Sequence, residues 1–252
     1  MGSTAEDKGG AQTVWVLLAA YNEAENLPGL LAELDAVARH LPLRVFVVDD
    51  GSEDGTGEVA RSWRGPCAPV VLAHDRNRGL GAALRTGLSA VLEGCRDGDV
   101  VVTMDADGSH RPAQIPQLVG ALRQGADVAI ASRYRRGSRV LGVPFLRRLL
   151  SFGARAVLSL RFPFPDVRDY TSGYRAYRAV LLRRARERYG EGWIRSSGFV
   201  ATAEILLTLR PFRPVVQEVP VELRYDLKRG VSKLPPFRTV RHYLRFLMGF
   251  RS

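Results

Sequence analysis

What most constrains this chain is an alternation: short, continuously apolar runs of strand length are each followed by a longer stretch with apolar residues at helical spacing. Val14–Ala19 (VWVLLA) precedes Leu27, Leu30, Leu31, Leu34, Val37 and Ala38, which share one helical face within Glu23–Arg39. Val45–Val48 precedes a helix expected over Thr56–Trp63, with Ser52 or Asp54 as its cap. Val70–Ala73 precedes a helix over Gly79–Leu92, Val100–Met104 precedes one from about Pro112 to Gly125, and Val128–Ala131 closes the series. A strand that is apolar at every position is buried on both faces, and strand–helix alternation makes such strands parallel. The pattern predicts an α/β fold, a Rossmann-like and mostly parallel sheet covered by helices on both faces. Past residue 132 the rhythm changes. Helices are expected at about Leu146–Leu160 and Ala179–Arg188, with Pro163 and Pro165 between them, and a strand pattern covers Val215–Leu223.

The polar residues fall just after the strands. Tyr21-Asn22-Glu23, Asp49-Asp50-Gly51-Ser52 and Asp105-Ala106-Asp107 all do so, and in open α/β sheets ligands bind at the carboxyl ends of the strands. Asp105 and Asp107 are the centre of this candidate site. Two carboxylates one residue apart, directly after a buried strand, can both reach Mg²⁺ or Mn²⁺, which takes one or two carboxylates and completes its shell with substrate phosphates. Such a cation offsets the charge of a departing diphosphate.

Charge narrows the partners. The chain carries +11 in all, but residues 1–132 carry −7 and residues 133–252 carry +18. A basic rear half suits phosphates or an anionic membrane. Nucleic acid would also suit it, but no recognition motif or aromatic stacking platform accompanies the charge, so no nucleic-acid partner is expected. Cys67 and Cys95 make neither a disulfide framework nor a Cys/His zinc site. No apolar run reaches the roughly 20 residues that span a bilayer, and a cytoplasmic location is expected, with peripheral contact to the membrane face. A nucleotidyltransferase would place a glycine-rich loop after the first strand, where this chain has Ala20-Tyr21-Asn22-Glu23-Ala24.

Several segments resemble the family-two glycosyltransferases: Ala20-Tyr21-Asn22-Glu23-Ala24-Glu25-Asn26-Leu27, Val47 to Thr56 (VVDDGSEDGT), Asn77-Arg78-Gly79-Leu80-Gly81-Ala82-Ala83, and Met104 to His110 (MDADGSH). Ala131-Ser132-Arg133-Tyr134, Asp169 to Arg175 (DYTSGYR), Arg224 and Val231-Ser232-Lys233-Leu234 extend the likeness to the dolichyl-phosphate mannose synthases and related polyprenyl-phosphate glycosyltransferases. The resemblance implies a GT-A type fold over residues 13–235, after a disordered tail (1–12) and before an amphipathic segment (236–252). It implies a hexosyltransferase with a nucleotide-sugar donor, GDP-mannose ahead of UDP-glucose, and a polyprenyl phosphate acceptor.

Carried onto these residues, the resemblance implies that Ala20, Tyr21 and Glu23 contact the nucleoside, Asp50 the base or ribose, and Gly79 the donor. Asp105, Ala106 and Asp107 would hold the donor, with Asp105 and Asp107 on the metal. Arg133 would face phosphates, Asp169, Ser172 and Gly173 would line the sugar site, and Arg224 and Lys233 would bind phosphate. Asp107, Arg133 and Asp169 are the expected catalytic residues. Relatives carry Leu-Gln after the paired aspartates where this chain has Gly108-Ser109, which bears on metal preference. The expected reaction is one in-line displacement with inversion. A phosphate acceptor needs little activation; a soluble hydroxyl acceptor, the alternative, needs a base, for which Asp169 or Glu204 are candidates. Phe237, Val240, Tyr243, Leu244 and Leu247 share a helical face that either lies on a membrane or packs on the core.

Overall fold

The first half of the chain follows the alternation closely in the computed structural model, which describes residues 12–227, 242, 243, 246 and 247. Strands β1 (Val14–Ala20), β2 (Leu43–Asp49), β3 (Val70–Ala73), β4 (Val100–Asp105) and β5 (Val128–Ser132) are separated by helices α1 (Leu27–Ala38), α2 (Thr56–Ser62), α3 (Leu80–Gly94) and α4 (Ile115–Arg123). Then come β6 (Arg139–Leu141), α5 (Phe145–Arg161), β7 (Arg175–Arg178), α6 (Ala179–Tyr189), α7 (Val200–Leu209), β8 (Val216–Pro220) and β9 (Glu222–Arg224).

Seven strands form one sheet in the order β3-β2-β1-β4-β7-β5-β8. Only β7 runs antiparallel to its neighbours. Successive side chains of a strand point to opposite faces, and β1 shows why all of its positions are apolar. Val14, Val16 and Leu18 pack with Leu27, Leu31 and Leu34 of α1 and Leu118 and Leu122 of α4. Trp15 and Leu17 pack on the other face with Leu88 of α3, Leu182 of α6 and Leu206 of α7. Each such fully buried Leu or Val stabilises the fold by about 1.5–3 kcal/mol. Parallel register then aligns the acidic strand ends: Ala19 lies opposite Asp105, and Ala20 opposite Asp49.

The second half departs from expectation at two places, and at a third the described residues follow one of the two alternatives the sequence left open. The strand expected over Val215–Leu223 is two strands in different sheets: β8 extends the main sheet beside β5, and β9 pairs with β6 in a separate parallel ribbon. Helix α7 is buried at every residue, so it carries no helical periodicity to read. In the C-terminal segment, the described residues pack on the core rather than facing outward: Phe246 is 8% exposed and meets Phe162 edge-on at 6.0 Å, and Tyr243 and Leu247 pack against the same cluster. Val231, Ser232, Lys233, Leu234, Phe237, Val240 and Leu244 lie outside the described residues.

Asp99 anchors the start of the sheet. Its carboxylate accepts the Thr13 amide at 3.0 Å, the Trp15 indole Nε1–H at 3.0 Å and the Arg96 amide at 2.9 Å. Burial pushes the carboxyl's pKa up, but the hydrogen bonds from Arg96, Thr13 and Trp15 outweigh it and leave it below the ordinary 3.8. A depressed folded pKa gives stability that is present above the unfolded value and is lost as pH falls through the folded one. Asp99→Ala should therefore cost about 2–3 kcal/mol at neutral pH. In urea melts at several pH values, that difference from wild type should shrink below about pH 4.

Candidate active site

Two loops at the carboxyl end of the sheet are laced together by short polar residues. The Asn22 amide donates to Ser52 Oγ at 2.9 Å, the Glu23 amide to Thr56 Oγ1 at 2.8 Å, and the Ala24 amide to Asp54 Oδ2 at 3.0 Å. In return the Glu53 amide donates to Asn22 Oδ1 at 2.9 Å. Asn22 reaches this position in the left-handed region, at φ 52°, which Asn tolerates better than most residues. The result is a rigid rim carrying Ala20, Tyr21 and Glu23, of which Ala20 and Glu23 are buried.

Asp50 organises the neighbouring segment. Its Oδ1 lies 2.6 Å from His74 Nδ1 and accepts the Arg78 amide at 3.0 Å, while Oδ2 accepts the Gly79 amide at 2.7 Å. His74 Nε2 in turn meets Thr86 Oγ1 at 3.0 Å. The carboxylate thus sits at the amino end of α3, where the helix dipole favours negative charge. Gly51, at φ 70°, lets this turn pass directly against the Arg76–Asn77 backbone, where any Cβ would collide. Gly79 at φ 88° is equally required, because a Cβ there would run into the Ser197 carbonyl.

The paired aspartates occupy a loop that closes on itself. Asp107 Oδ1 accepts both the amide and the hydroxyl of Ser109, at 3.0 and 2.6 Å. Ser109 therefore orients Asp107. The Asp105 amide donates to His110 Nδ1 at 3.0 Å, and the Asp105 side chain is 37% exposed. From outside, the Arg224 amide donates to the Ser109 carbonyl at 2.9 Å and Leu223 bridges His110, so β9 is bonded to this loop as well as to β6.

A second charged cluster is buried beside it. Arg133 forks onto Asp169, Nε to Oδ2 at 2.8 Å and Nη2 to Oδ1 at 2.6 Å, and its amide also donates to Oδ2 at 3.0 Å. Asp169 is fully buried and accepts the Ser172 amide too, at 3.0 Å. Burial raises its pKa, but the charge and hydrogen bonds of Arg133 prevail and hold it well below the usual carboxylate range. Glu218 Oε1 accepts the Arg168 and Asp169 amides, both at 2.7 Å, and buried Arg175 donates to the Tyr170 carbonyl at 2.7 Å and to the Thr202 carbonyl. The Asp169–Ser172 turn is thus held from several sides. The fork uses Nε and Nη2 and leaves Arg133 Nη1 without a protein partner among the described contacts.

These elements enclose a cavity of about 500 Å³. Its lining is mixed: Asp105, Ser109, His110, Arg133 and Ser172 are polar, and Val140, Val143, Phe152, Phe199, Val221 and Leu223 are apolar. Ser151 and Arg155 of α5 reach the site, Ser151 Oγ lying 3.3 Å from Thr171 Oγ1 and the Arg155 guanidinium 4.3 Å above the Tyr134 ring.

The family model for "Glycosyl transferase family 2" matches residues 15–185. The chain belongs to this family. It is 35% identical over 237 residues to a dolichol-phosphate mannosyltransferase of Pyrococcus furiosus, covering 93% of this chain but only 62% of that protein. It is 36% identical over 227 residues to a polyprenol monophosphomannose synthase of Mycolicibacterium smegmatis, covering 88% of this chain and 81% of that one. Among solved structures, glucosyl-3-phosphoglycerate synthase of Mycobacterium tuberculosis, in a complex with Mn²⁺, UDP and phosphoglyceric acid, superposes with a TM-score of 0.67. That match covers 96% of this chain and 80% of the other at 21% identity, and it shows a shared fold.

On this family-2 framework the sequence-based site residues separate into groups. Asp105, Arg133, Ser172 and Gly173 line the cavity. Ala20, Tyr21, Glu23, Asp50 and Gly79 belong to the rim beyond it, and Ala106 and Asp107 are buried in the loop. Asp169 holds Arg133 and does not line the cavity. Arg224 turns its guanidinium onto Asp226, with Nη2 to Oδ2 at 2.9 Å. Glu204 accepts the Arg195 and Ser196 amides, at 3.0 and 2.8 Å, and shapes the loop over α3. The two base candidates, Asp169 and Glu204, are thus structural anchors: each is buried and engaged by fixed donors. Val140, Phe152 and Phe199 had no sequence signal as cavity residues, because only the return of β6, α5 and the start of α7 over the sheet brings them to the site.

Proposed function

We propose that this protein transfers a hexose from a nucleotide-sugar to a polyprenyl-type phosphate, with inversion at the anomeric carbon. The observation that carries the reading is the mixed lining of the cavity. Asp105 and Arg133 share it with Val140, Val143, Phe152 and Phe199, and Phe152 is also one of the exposed apolar residues of α5. A lipid phosphate combines the same two chemistries. The mannosyl relatives support GDP-mannose as the first donor to try, with UDP-glucose second.

Asp105 and Asp107 would hold Mg²⁺ or Mn²⁺, which when bound offsets the charge of the departing diphosphate. Among the described residues no group of three or more His, Cys, Asp or Glu is placed to hold a metal. Two carboxylates on one loop suit a hard cation that shares its shell with substrate phosphates. Arg133, fixed by its fork to Asp169, offers Nη1 to the acceptor phosphate. A phosphate monoester is already largely dianionic at neutral pH, so the chain needs to position it and supply charge. The engagement of Asp169 and Glu204 also favours a phosphate over a hydroxyl acceptor, which would require a base.

The bilayer contact is assigned to α5. Leu149, Phe152, Val157 and Leu160 are 54%, 57%, 46% and 87% exposed, and Leu141 of β6 is 45% exposed. On the helix, Leu149, Val157 and Leu160 lie on the side opposite Ser151, Arg155 and the buried Leu158, and Phe152 stands at the edge of the cavity. Arg135, Arg136, Arg139 and Arg161, close to this helix in sequence, are exposed and would complement an anionic surface. Among the described residues no helix is long and apolar enough to cross a membrane, so this contact would be peripheral. Leu149→Ser/Val157→Ser/Leu160→Ser should weaken sedimentation with phosphatidylcholine–phosphatidylglycerol vesicles by about tenfold or more. Unchanged partition would remove α5 from the reading.

The deciding assay combines the protein with Mg²⁺ or Mn²⁺, GDP-mannose or UDP-glucose, and a short polyprenyl phosphate, with EDTA as control. Metal-dependent lipid-linked sugar is the expected product. Donor turnover only with a soluble hydroxyl acceptor would overturn the lipid-phosphate assignment.

A further inference from the structure

His110 does more than fill space beside the paired aspartates. The imidazole is 5% exposed and its ring stacks on Tyr174, centroids 4.9 Å apart at 26°. Tyr174 is itself fully buried and donates its hydroxyl to the Arg111 carbonyl at 2.9 Å. The ring therefore has a firm backing. Its Nδ1 accepts the Asp105 amide, which puts the neutral ring's proton on Nε2. That amide lies past the last residue of β4 paired with β7, since the register ends at Thr103 opposite Arg175. On that side of β4 the imidazole stands where a neighbouring strand would have continued.

We infer that His110 is the positioning residue of the carboxylate pair: by accepting the Asp105 amide it fixes the direction in which the Asp105 carboxylate leaves β4. Three further contacts make this a preset arrangement. Ser109 orients Asp107, β9 pins the main chain at Ser109 and His110, and Tyr174 fixes the plane of the ring. The cavity wall thus presents Asp105 already aimed, and little reorganisation accompanies cation binding. The inference rests on the metal reading above, because a carboxylate with nothing to bind needs no aiming.

Two substitutions separate aiming from packing. His110→Phe keeps a ring on Tyr174 and removes the acceptor. His110→Asn gives up the ring and keeps an acceptor, Oδ1, near the place of Nδ1. Mn²⁺ affinity is read from the free-ion electron paramagnetic resonance signal in the presence of GDP or UDP, and nucleotide binding in EDTA is measured beside it. The Phe variant should bind Mn²⁺ about 10–100-fold more weakly, the usual effect of losing a group that orients a metal ligand. The Asn variant should stay within about threefold of wild type, and nucleotide binding in EDTA should be unchanged in both. The reverse order, with Phe retaining Mn²⁺ and Asn losing it, is the signature of packing alone and overturns the inference. If the Phe variant does not fold, loss of Mn²⁺ by folded Asn variant overturns it equally. A wild-type protein that binds no Mn²⁺ with either nucleotide overturns the metal reading and this inference together.

Discussion

Asp105→Asn is expected to lower transfer by roughly a thousandfold and leave the fold intact. The side chain is 37% exposed and lines the cavity. Among the described contacts only its amide, not its carboxylate, makes a hydrogen bond within the loop. Asn has the same shape, so stability should move by no more than about 0.5 kcal/mol. The carboxylate's charge is what the reaction would lose. A metal ligand that stabilises a developing diphosphate is worth several kcal/mol, and about 4 kcal/mol is about three decades in rate. Asp107 is a less clean test, since Ser109 donates twice to it and its loss also frees those donors. The measurement is kcat/KM with a thermal melt on the same sample. Transfer within tenfold of wild type would exclude Asp105 from the metal site.

Arg133→Ala should be the most destabilising change in the site. It strands Asp169, which is fully buried and has Arg133 as its forked partner. Removing one partner of a buried ion pair costs about 3–5 kcal/mol, a large share of the roughly 5–15 kcal/mol that holds a domain together. The wild-type pair contributes stability above the ordinary carboxylate pKa of 3.8, and that contribution is lost as pH falls through the depressed folded value. Without the guanidinium, burial pushes Asp169 upward again, so acid unfolding of the variant should begin at a higher pH. Arg133→Lys keeps the charge but not the planar fork. It should fold, and its KM for the polyprenyl phosphate should rise by about tenfold, one lost charge-assisted hydrogen bond. An unchanged acceptor KM in a folded Lys variant would remove Arg133 from phosphate binding.

The first half of the fold was legible because burial on both faces forces continuous apolar strands, and because helices covering a sheet need one apolar stripe. Val14–Ala20 and Leu27–Ala38 show both rules at once. The second half hides for physical reasons. In β7, Arg-Ala-Tyr-Arg does not read as a central strand, yet Arg175 is buried there, donating to the Tyr170 carbonyl of the neighbouring turn and to the Thr202 carbonyl of α7. Helix α7, buried all round, has no polar stripe to set its period. In the site, acidic strand ends announced Asp105 and Asp50, since charge beside a buried strand is conspicuous. The division of labour among them was not legible. That Asp169 serves Arg133, and Glu204 a loop, depends on which amides the folded chain turns toward them.

Strand β9 is three residues long and is bonded along both edges, to the aspartate loop through Ser109 and His110 and to β6 ahead of α5. This ties the aspartate loop and the β6–α5 segment into a single inheritance unit. Grafting another acceptor preference onto this scaffold by exchanging residues 139–161 alone would leave β9 matched to a ribbon no longer present, and the misfit would surface at the aspartates. A workable chimera must carry residues 222–224 along with 139–161, so swaps built with and without that triplet should differ in metal binding even though neither touches a metal ligand.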